Sequence, residues 1–360
     1  MATVDLAELR RRSEYIKERR HSTLPLLIWN YNARCQAEKA WDEYTRIARG
    51  LITDLEGRIV ARPFPKFFNL GEVEKTRVEN LPADPPRIYE KLDGSLGILY
   101  WDGDRPCIAT RGSFESEQAA WATEWVRERV DRDITTGFRI DHTYLFEIVF
   151  PQNRIVVDYG ARAELVLLAV VHTETGRELD PIKEAVRIGL PGAREFLHPL
   201  EDVQASCATL GSDEEGFVVH WPSYGLRVKM KGAEYCRLHK LLTSFSSISI
   251  WECLAAGTDL EPLMERVPDE FRAWVMDQRD SLKWAFRELQ IDAEQAVRDV
   301  NRLSDRKTQA LYLQAHHADV QHFAFMLLNG KDPAPLIWKR LRPAHALPFR
   351  FGPEEGEVDG

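Results

Sequence analysis

The sequence predicts an α+β protein: two antiparallel sheets flanked by helices, followed by a separate all-helical domain. Three observations predict this. Short β-prone runs separated by Gly, Asp and Pro turns recur from Thr45 to Lys231. Beyond about Gly232 the alternation stops and apolar residues take helical spacing. The 360 residues, 44% hydrophobic, exceed what a single core serves, since cores stop growing at roughly 250–300 residues. The expected domains are 1–240 and 241–360.

In chain order, Asp5 to Arg20 reads as a short helix with basic clusters at Arg10–Arg12 and Arg19–Arg20, a solvated face. Thr45–Thr53 and Arg58–Arg62 read as strands around the turn Asp54–Gly57. A rigid aromatic loop, Pro63 to Asn69, follows, and a proline-rich stretch leads to Ile88. Ile88–Tyr100 is an apolar strand pattern broken by Lys91-Leu92-Asp93-Gly94-Ser95, and Cys107–Arg111 completes a second hairpin. Ala119, Trp121, Trp125, Val126 and Val130 mark a helix over Glu115–Arg132. Strands are expected at Thr143–Phe150, Arg154–Tyr159 and Glu164–His172, a helix near Pro181–Arg187, and a hairpin of Gly216–Trp221 with Leu226–Lys231. Ser304-Asp305 is the N-cap expected for a last helix ending at Asn329-Gly330.

Composition excludes several classes. No apolar run approaches the ~20 residues of a membrane helix, and the charged segment Met1–Arg20, without a hydrophobic signal region, is not expected to act as a secretory leader. Five scattered cysteines without a C-x-x-C pair suit buried thiols in a reducing, cytoplasmic compartment. A net charge of −9 gives no bulk attraction to polyanions, so a nucleic acid would need a local basic groove.

Four short pieces carry chemistry. Lys91 ends a strand before a tight polar turn. Alone it suits a salt bridge; a lysine becomes a nucleophile when burial or nearby cations favour its neutral form. Glu147 interrupts an apolar strand and points either to solvent or into a pocket, where it would bind a sugar or metal-bound water. Glu215 closes an acidic cluster, either a surface turn or a carboxylate for a hard divalent ion. Lys229 and Lys231 share one strand face, either solvated or clamped on a phosphate. Together, in this order, a lysine, two separated glutamates and a lysine pair are what adenylation by ATP requires. His316, His317 and His322 lie among polar residues on a helix and read as surface groups rather than a metal cluster.

Lys91-Leu92-Asp93-Gly94-Ser95 resembles motif I of the covalent nucleotidyltransferases, a superfamily of RNA ligases, DNA ligases and capping guanylyltransferases. Arg111-Gly112-Ser113 looks like the element just after motif I. Phe146-Glu147 resembles motif III, Glu215-Gly216-Phe217-Val218 motif IV, and Lys229-Met230-Lys231 motif V. Ala48-Arg49-Gly50 and Pro65-Lys66-Phe67-Phe68-Asn69 are similar to upstream elements of the RNA ligase 1 family of T-even bacteriophages, which the whole stretch Tyr44–Leu242 most resembles. The resemblance implies an ATP-grasp-like nucleotidyltransferase domain. It makes Lys91 the nucleophile that forms lysyl-AMP, and Lys229 and Lys231 contacts to the α-phosphate. Arg49, Lys66 and Arg111 would contact the nucleotide, Asp93 and Glu147 the sugar or metal waters, and Glu215 with Glu147 the metal, Mg²⁺ or Mn²⁺. The partner it implies is RNA with 5′-phosphate and 3′-hydroxyl ends, such as a cleaved tRNA, read by the helical domain of a monomeric enzyme.

Relatives in the other classes usually carry arginine two residues after the motif I glycine, where this chain has Leu96, and append a β-barrel where this chain turns helical. Both differences favour RNA ligase over DNA ligase or capping enzyme. A catalytically idle RNA-end sensor is the alternative from another class, and the intact Lys91, Glu147, Glu215, Lys229 and Lys231 speak against it.

Overall fold

The computed structural model describes residues 2–131, 137–244, 246–258, 260 and 269–344. The chain divides into two compact units, Met1–His239 and Lys240–Glu354.

The first unit begins with α1 (Leu6–Arg11), capped by the Asp5 carboxylate, which accepts from the amides of Ala7 and Glu8. The helix expected to run to Arg20 stops there. Ile16–Arg20 is instead strand β1, paired antiparallel with β2 (Leu26–Tyr31). Five of the six residues of β2 are buried, so its pairing demand overrides the local helical preference of the charged run before it. The charged Lys17, Glu18, Arg19 and Arg20 keep that edge strand from pairing further. Helices α2 (Ala33–Ala37) and α3 (Glu43–Ile47) follow. An Asp42–Thr45 capping box winds α3, so the strand expected from Thr45 starts at Arg49 as β3 (Arg49–Asp54) and returns as β4 (Ile59–Ala61). The first sheet is ordered β1-β2-β3-β4, and the sequence reading did not anticipate it as a separate layer.

The remaining strands are β5 (Phe68–Asn69), β6 (Arg87–Lys91), β7 (Ser95–Asp102), β8 (Arg105–Ala109), β9 (His142–Val149), β10 (Glu164–His172), β11 (Glu178–Leu179), β12 (Glu195–Phe196), β13 (Gly216–Trp221) and β14 (Leu226–Lys231). They form the two expected sheets, ordered β11-β10-β9-β7-β8 and β12-β6-β13-β14-β5, antiparallel throughout except for the β14–β5 pair. Helices α4 (Glu117–Asp131) and α5 (Pro181–Ile188) cover one face of the former, burying Trp125, Val126, Ala185 and Ile188 against Leu99, Phe146 and Leu167. Its other face packs on the first sheet through Ile28, Ile52, Ile98 and Leu145. Helix α6 (Leu200–Ser206) backs the second five-stranded sheet, and α7 (Ala233–Ser244) starts just after β14. Residues 154–159, expected as a strand, form a loop instead, because the amides of Val156 and Val157 donate to the Asp93 carboxylate rather than to a sheet.

The second unit is helical as expected, with α8 (Ser247–Ala255), α9 (Asp269–Val300), α10 (Arg306–His316), α11 (Gln321–Leu328) and α12 (Ala334–Arg340). Asp305 caps α10 by accepting from the Thr308 amide. The single helix expected up to Asn329 is broken after His316. The break lets Leu313 and Phe323 both reach the core of Ala293, Ala296 and Val300 on α9. His317 there lies 3.0 Å from Asp299, and no group of three metal-ligating side chains occurs among the described residues. No described helix is long and apolar enough to cross a membrane.

Candidate active site

Lys91 owes its place to a change of sheet. It is the last residue of β6, and after Leu92, Asp93 and Gly94 the chain begins β7 in the facing sheet. The period of two then sorts the neighbouring side chains. Ile88, Phe217, Val219, Trp221, Val228 and Met230 pack outward against Val203 of α6. Their neighbours Arg87, Tyr89, Lys91, Val218, His220, Arg227, Lys229 and Lys231 line the groove between the sheets. Full burial of each large apolar side chain stabilises by about 1.5–3 kcal/mol. A one-residue slip would exchange this set for the charged one, so the register is strongly specified.

The facing sheet contributes Leu96, Glu147 and Leu168 to a cavity of about 220 Å³. Glu147 is the one residue of β9 that is not buried, which selects the pocket reading over the solvent face. Leu168 sits at a bulge where the β9–β10 register shifts, and the bulge turns it into the groove.

Glu215 is the electrostatic centre. Only 3% exposed, it lies 2.5 Å from the Lys91 ammonium through one oxygen and 3.5 Å from that of Lys231 through the other. Burial pushes its carboxyl above the usual range, and the two lysines oppose that rise. It therefore keeps its charge only with cations beside it. Gly216 makes this possible: its φ is +143°, and a Cβ there would stand 2.1 Å from the Met230 carbonyl. Lys229 is buried and lies 5.3 Å from the Phe67 ring centroid. Arg49 lines the groove 5.6 Å from the same ring, and its Nη1 is buried without a hydrogen-bond partner among the described residues.

The other motif residues build the frame. The Asp93 carboxylate, expected at the sugar, is committed to protein donors. One oxygen accepts from the amides of Val156 (2.7 Å) and Val157 (2.9 Å), the other from the Tyr235 hydroxyl (2.8 Å). Its own amide donates to the Tyr159 hydroxyl at 2.8 Å. A Cβ on Gly94 would come within 2.5 Å of the Ile148 carbonyl, so this glycine serves the contact of the turn with β9. The Ser95 hydroxyl donates to the side chain of the buried Asn153.

Lys66 and Arg111, expected at the nucleotide, are not among the groove-lining residues. The Lys66 ammonium lies 5.2 Å from the Trp41 ring centroid and 5.7 Å from those of Tyr31 and Phe68. Arg111 donates to the Tyr31 hydroxyl at 2.9 Å. Their burial among aromatic faces accounts for the displacement. Sequence reasoning missed Tyr89, Tyr235, His220 and Arg227. Tyr89 could have been found from its place two residues before Lys91 on the same strand face.

The groove residues fit a nucleoside polyphosphate. Arg49, Lys91, Lys229 and Lys231 offer positive charge, and the buried Arg49 Nη1 lacks the acceptor that a phosphate oxygen would supply. Glu215 and Glu147 fit a hard divalent ion, which takes one or two carboxylates and completes its shell with phosphate oxygens and water.

Comparison with known proteins locates this stretch. A protein of Thermovibrio ammonificans, provisionally named an RNA ligase, is 30% identical over 213 residues, which are 56% of this chain and 55% of that protein. The RNA ligase of Rhodothermus phage RM378 is 28% identical over 204 residues, 45% of each chain. The chain thus spans about half the length of these relatives. The solved structure of an archaeal ATP-dependent RNA ligase is similar over 79% of this chain and 80% of its own, at 16% identity and a TM-score of 0.49. Residues 47–235, from just before Arg49 to Tyr235, match the RNA ligase family, and the chain belongs to that family.

Proposed function

We propose that this chain is an ATP-dependent RNA ligase, most akin to the RNA ligase 1 group of T-even phages. It would join RNA 5′-phosphate and 3′-hydroxyl ends as a monomer in the cytoplasm, in repair of broken RNA such as tRNA. The observation that carries this reading is the convergence of Lys91, Glu215, Lys229, Lys231 and Arg49 in one groove. The Lys91 nitrogen, deprotonated, attacks the α-phosphorus of ATP. A P–N bond forms, the P–O bond to pyrophosphate breaks, and the amine proton leaves to solvent. Lys229 and Lys231 hold the developing charge on the α-phosphate oxygens. Arg49 binds the outer phosphates through its buried Nη1. A divalent ion held by Glu215 and Glu147 would supply charge neutralisation for the leaving group. Glu215 stabilises the Lys91 ammonium, so drawing it off Lys91 favours the neutral nucleophile. The adenylate then passes to the RNA 5′-phosphate, and a 3′-hydroxyl displaces AMP. Lys66 and Arg111 act from behind the groove by fixing Tyr31, and Asp93 by fixing Tyr235. The helical unit selects the RNA.

The test is incubation with α-labelled ATP and Mg²⁺ or Mn²⁺. Acid-stable label on the protein is expected, and its loss in Lys91→Ala. Absence of label with every divalent metal would sink the proposal. Sealing of 5′-phosphorylated RNA against DNA then assigns the polymer.

A further inference from the structure

The phosphoryl chemistry leaves all five cysteines unused, and two of them meet in the fold. Cys35 and Cys107 are buried, and burial holds both thiols above their ordinary range. Cys253 lies in the second unit. Cys236, on α7, is the exposed one of the five. Cys207 is half-buried and caps the C-terminal end of α6. The sequence sets Cys207 and Cys236 about thirty positions apart, so no local spacing pairs them.

The start of α7 joins them. The Cys207 carbonyl accepts from the Ala233 amide at 2.9 Å, which sets the two backbones at about the 5–6 Å of a hydrogen-bonded pair. Cys236 follows Ala233 by three residues, and side chains with that spacing are neighbours on one helix face. Helical side chains lean towards the N-terminus, which carries the Cys236 sulfur back towards Cys207. The contact is tight: a Cβ on Gly232 would lie 3.1 Å from the Cβ of Leu210, in the turn that follows Cys207. The two thiols also act on each other. Burial first, and then the charge of a Cys236 thiolate, holds the Cys207 thiol above its ordinary range. A disulfide spans Cα atoms about 4.4–6.8 Å apart, the scale that one hydrogen-bonded step and one returning side chain leave here.

We propose that Cys207 and Cys236 are a modification site, closed into an intramolecular disulfide by a small-molecule disulfide such as oxidised glutathione. The exposed Cys236 thiolate attacks one sulfur of the oxidant, a mixed disulfide forms and one glutathione thiolate leaves. The Cys207 thiolate then attacks the Cys236 sulfur, the protein S–S bond forms and the second glutathione thiolate leaves. The two protein thiols give up two electrons to the oxidant, and their two protons end on the two glutathiones. The order follows exposure: Cys236 is reached first, and the half-buried Cys207 resolves the adduct. The closed loop contains Glu215, Lys229 and Lys231. The bond also fastens the first turn of α7, which carries Tyr235, to α6 behind the sheet.

The test treats the full chain with oxidised glutathione, unfolds it, counts free thiols and maps the peptides by mass. Wild type should lose two of its five thiols and yield one cross-link, between the Cys207 and Cys236 peptides, which a reductant opens. Cys207→Ser should stop at a glutathione adduct on Cys236. Cys236→Ser should form neither adduct nor cross-link at Cys207. Closing a loop of this length should raise the melting temperature of oxidised wild type by about 5–10 °C, and neither serine variant should show the rise. If a serine variant misfolds, the wild-type thiol count and peptide map decide alone. Five thiols remaining in wild type, an adduct on its Cys236 that goes no further, or a cross-link to another cysteine or between two chains overturns the assignment.

Discussion

Removing the Asp93 side chain separates two roles for the aspartate that follows the lysine by two residues. If it touches the sugar, Asp93→Ala should impair nucleotide binding and leave the fold nearly intact. The structure assigns the opposite weight. The carboxylate is 4% exposed and accepts from two backbone amides and the Tyr235 hydroxyl at 2.7 to 2.9 Å. Asp93→Ala leaves three donors without their acceptor. Each such buried group costs about 1–3 kcal/mol, and partial repair by water brings the expected loss to about 3–6 kcal/mol. That is a large share of the ~5–15 kcal/mol by which domains are stable. Asp93→Asn keeps one acceptor for the amides and can donate to the Tyr235 oxygen, so it should cost only about 1–2 kcal/mol. Urea unfolding followed by tryptophan fluorescence measures both, with nucleotide affinity of Asp93→Asn as the second readout. An Asp93→Ala protein within about 1 kcal/mol of wild type, with nucleotide binding lost in both variants, would refute the strut and restore the sugar contact.

Two further substitutions probe the frame. Gly94→Ala puts a methyl 2.5 Å from the Ile148 carbonyl, so either the turn or β9 must move; we expect about 1–3 kcal/mol of destabilisation and loss of lysine labelling. Unchanged labelling would show that Lys91 tolerates a displaced turn. His220 has its imidazole held down at about 4, below the value of about 6.5 in an unfolded chain. The unfolded state therefore binds the extra proton first as pH falls. The stability from neutral His220 is complete above about pH 6.5 and is lost towards pH 4, on the order of 3 kcal/mol in all. Melting curves of His220→Gln should lack that part of the acid slope, and slopes matching wild type from pH 7 to 4 would count against it.

The groove-lining positions were legible in the sequence because they lie on or beside strands with a fixed period. Lys91, Glu147, Glu215, Lys229 and Lys231 were identified by interrupting or alternating with apolar residues, and all five line the groove. What failed depended on partners distant in the chain. Ile16–Arg20 is a strand only because β2 needs an edge partner, and nothing within that charged pentapeptide says so. Residues 154–159 look like a strand by composition, yet their amides turn to Asp93, about sixty positions earlier. Lys66 and Arg111 were expected at the nucleotide but lie against Tyr31, which local patterning did not single out.

The same distinction explains why Tyr89 escaped notice although its position is among the most constrained. An aromatic residue in an apolar strand reads as core, and by burial Tyr89 is core. Only the register reveals its second character. Lys91 faces Gly216, Tyr89 faces Val218 and Arg87 faces His220, so the face that presents the lysine must also present the phenol and the arginine. Placing a nucleophile at the end of β6 therefore commits the two alternate residues before it to the same groove.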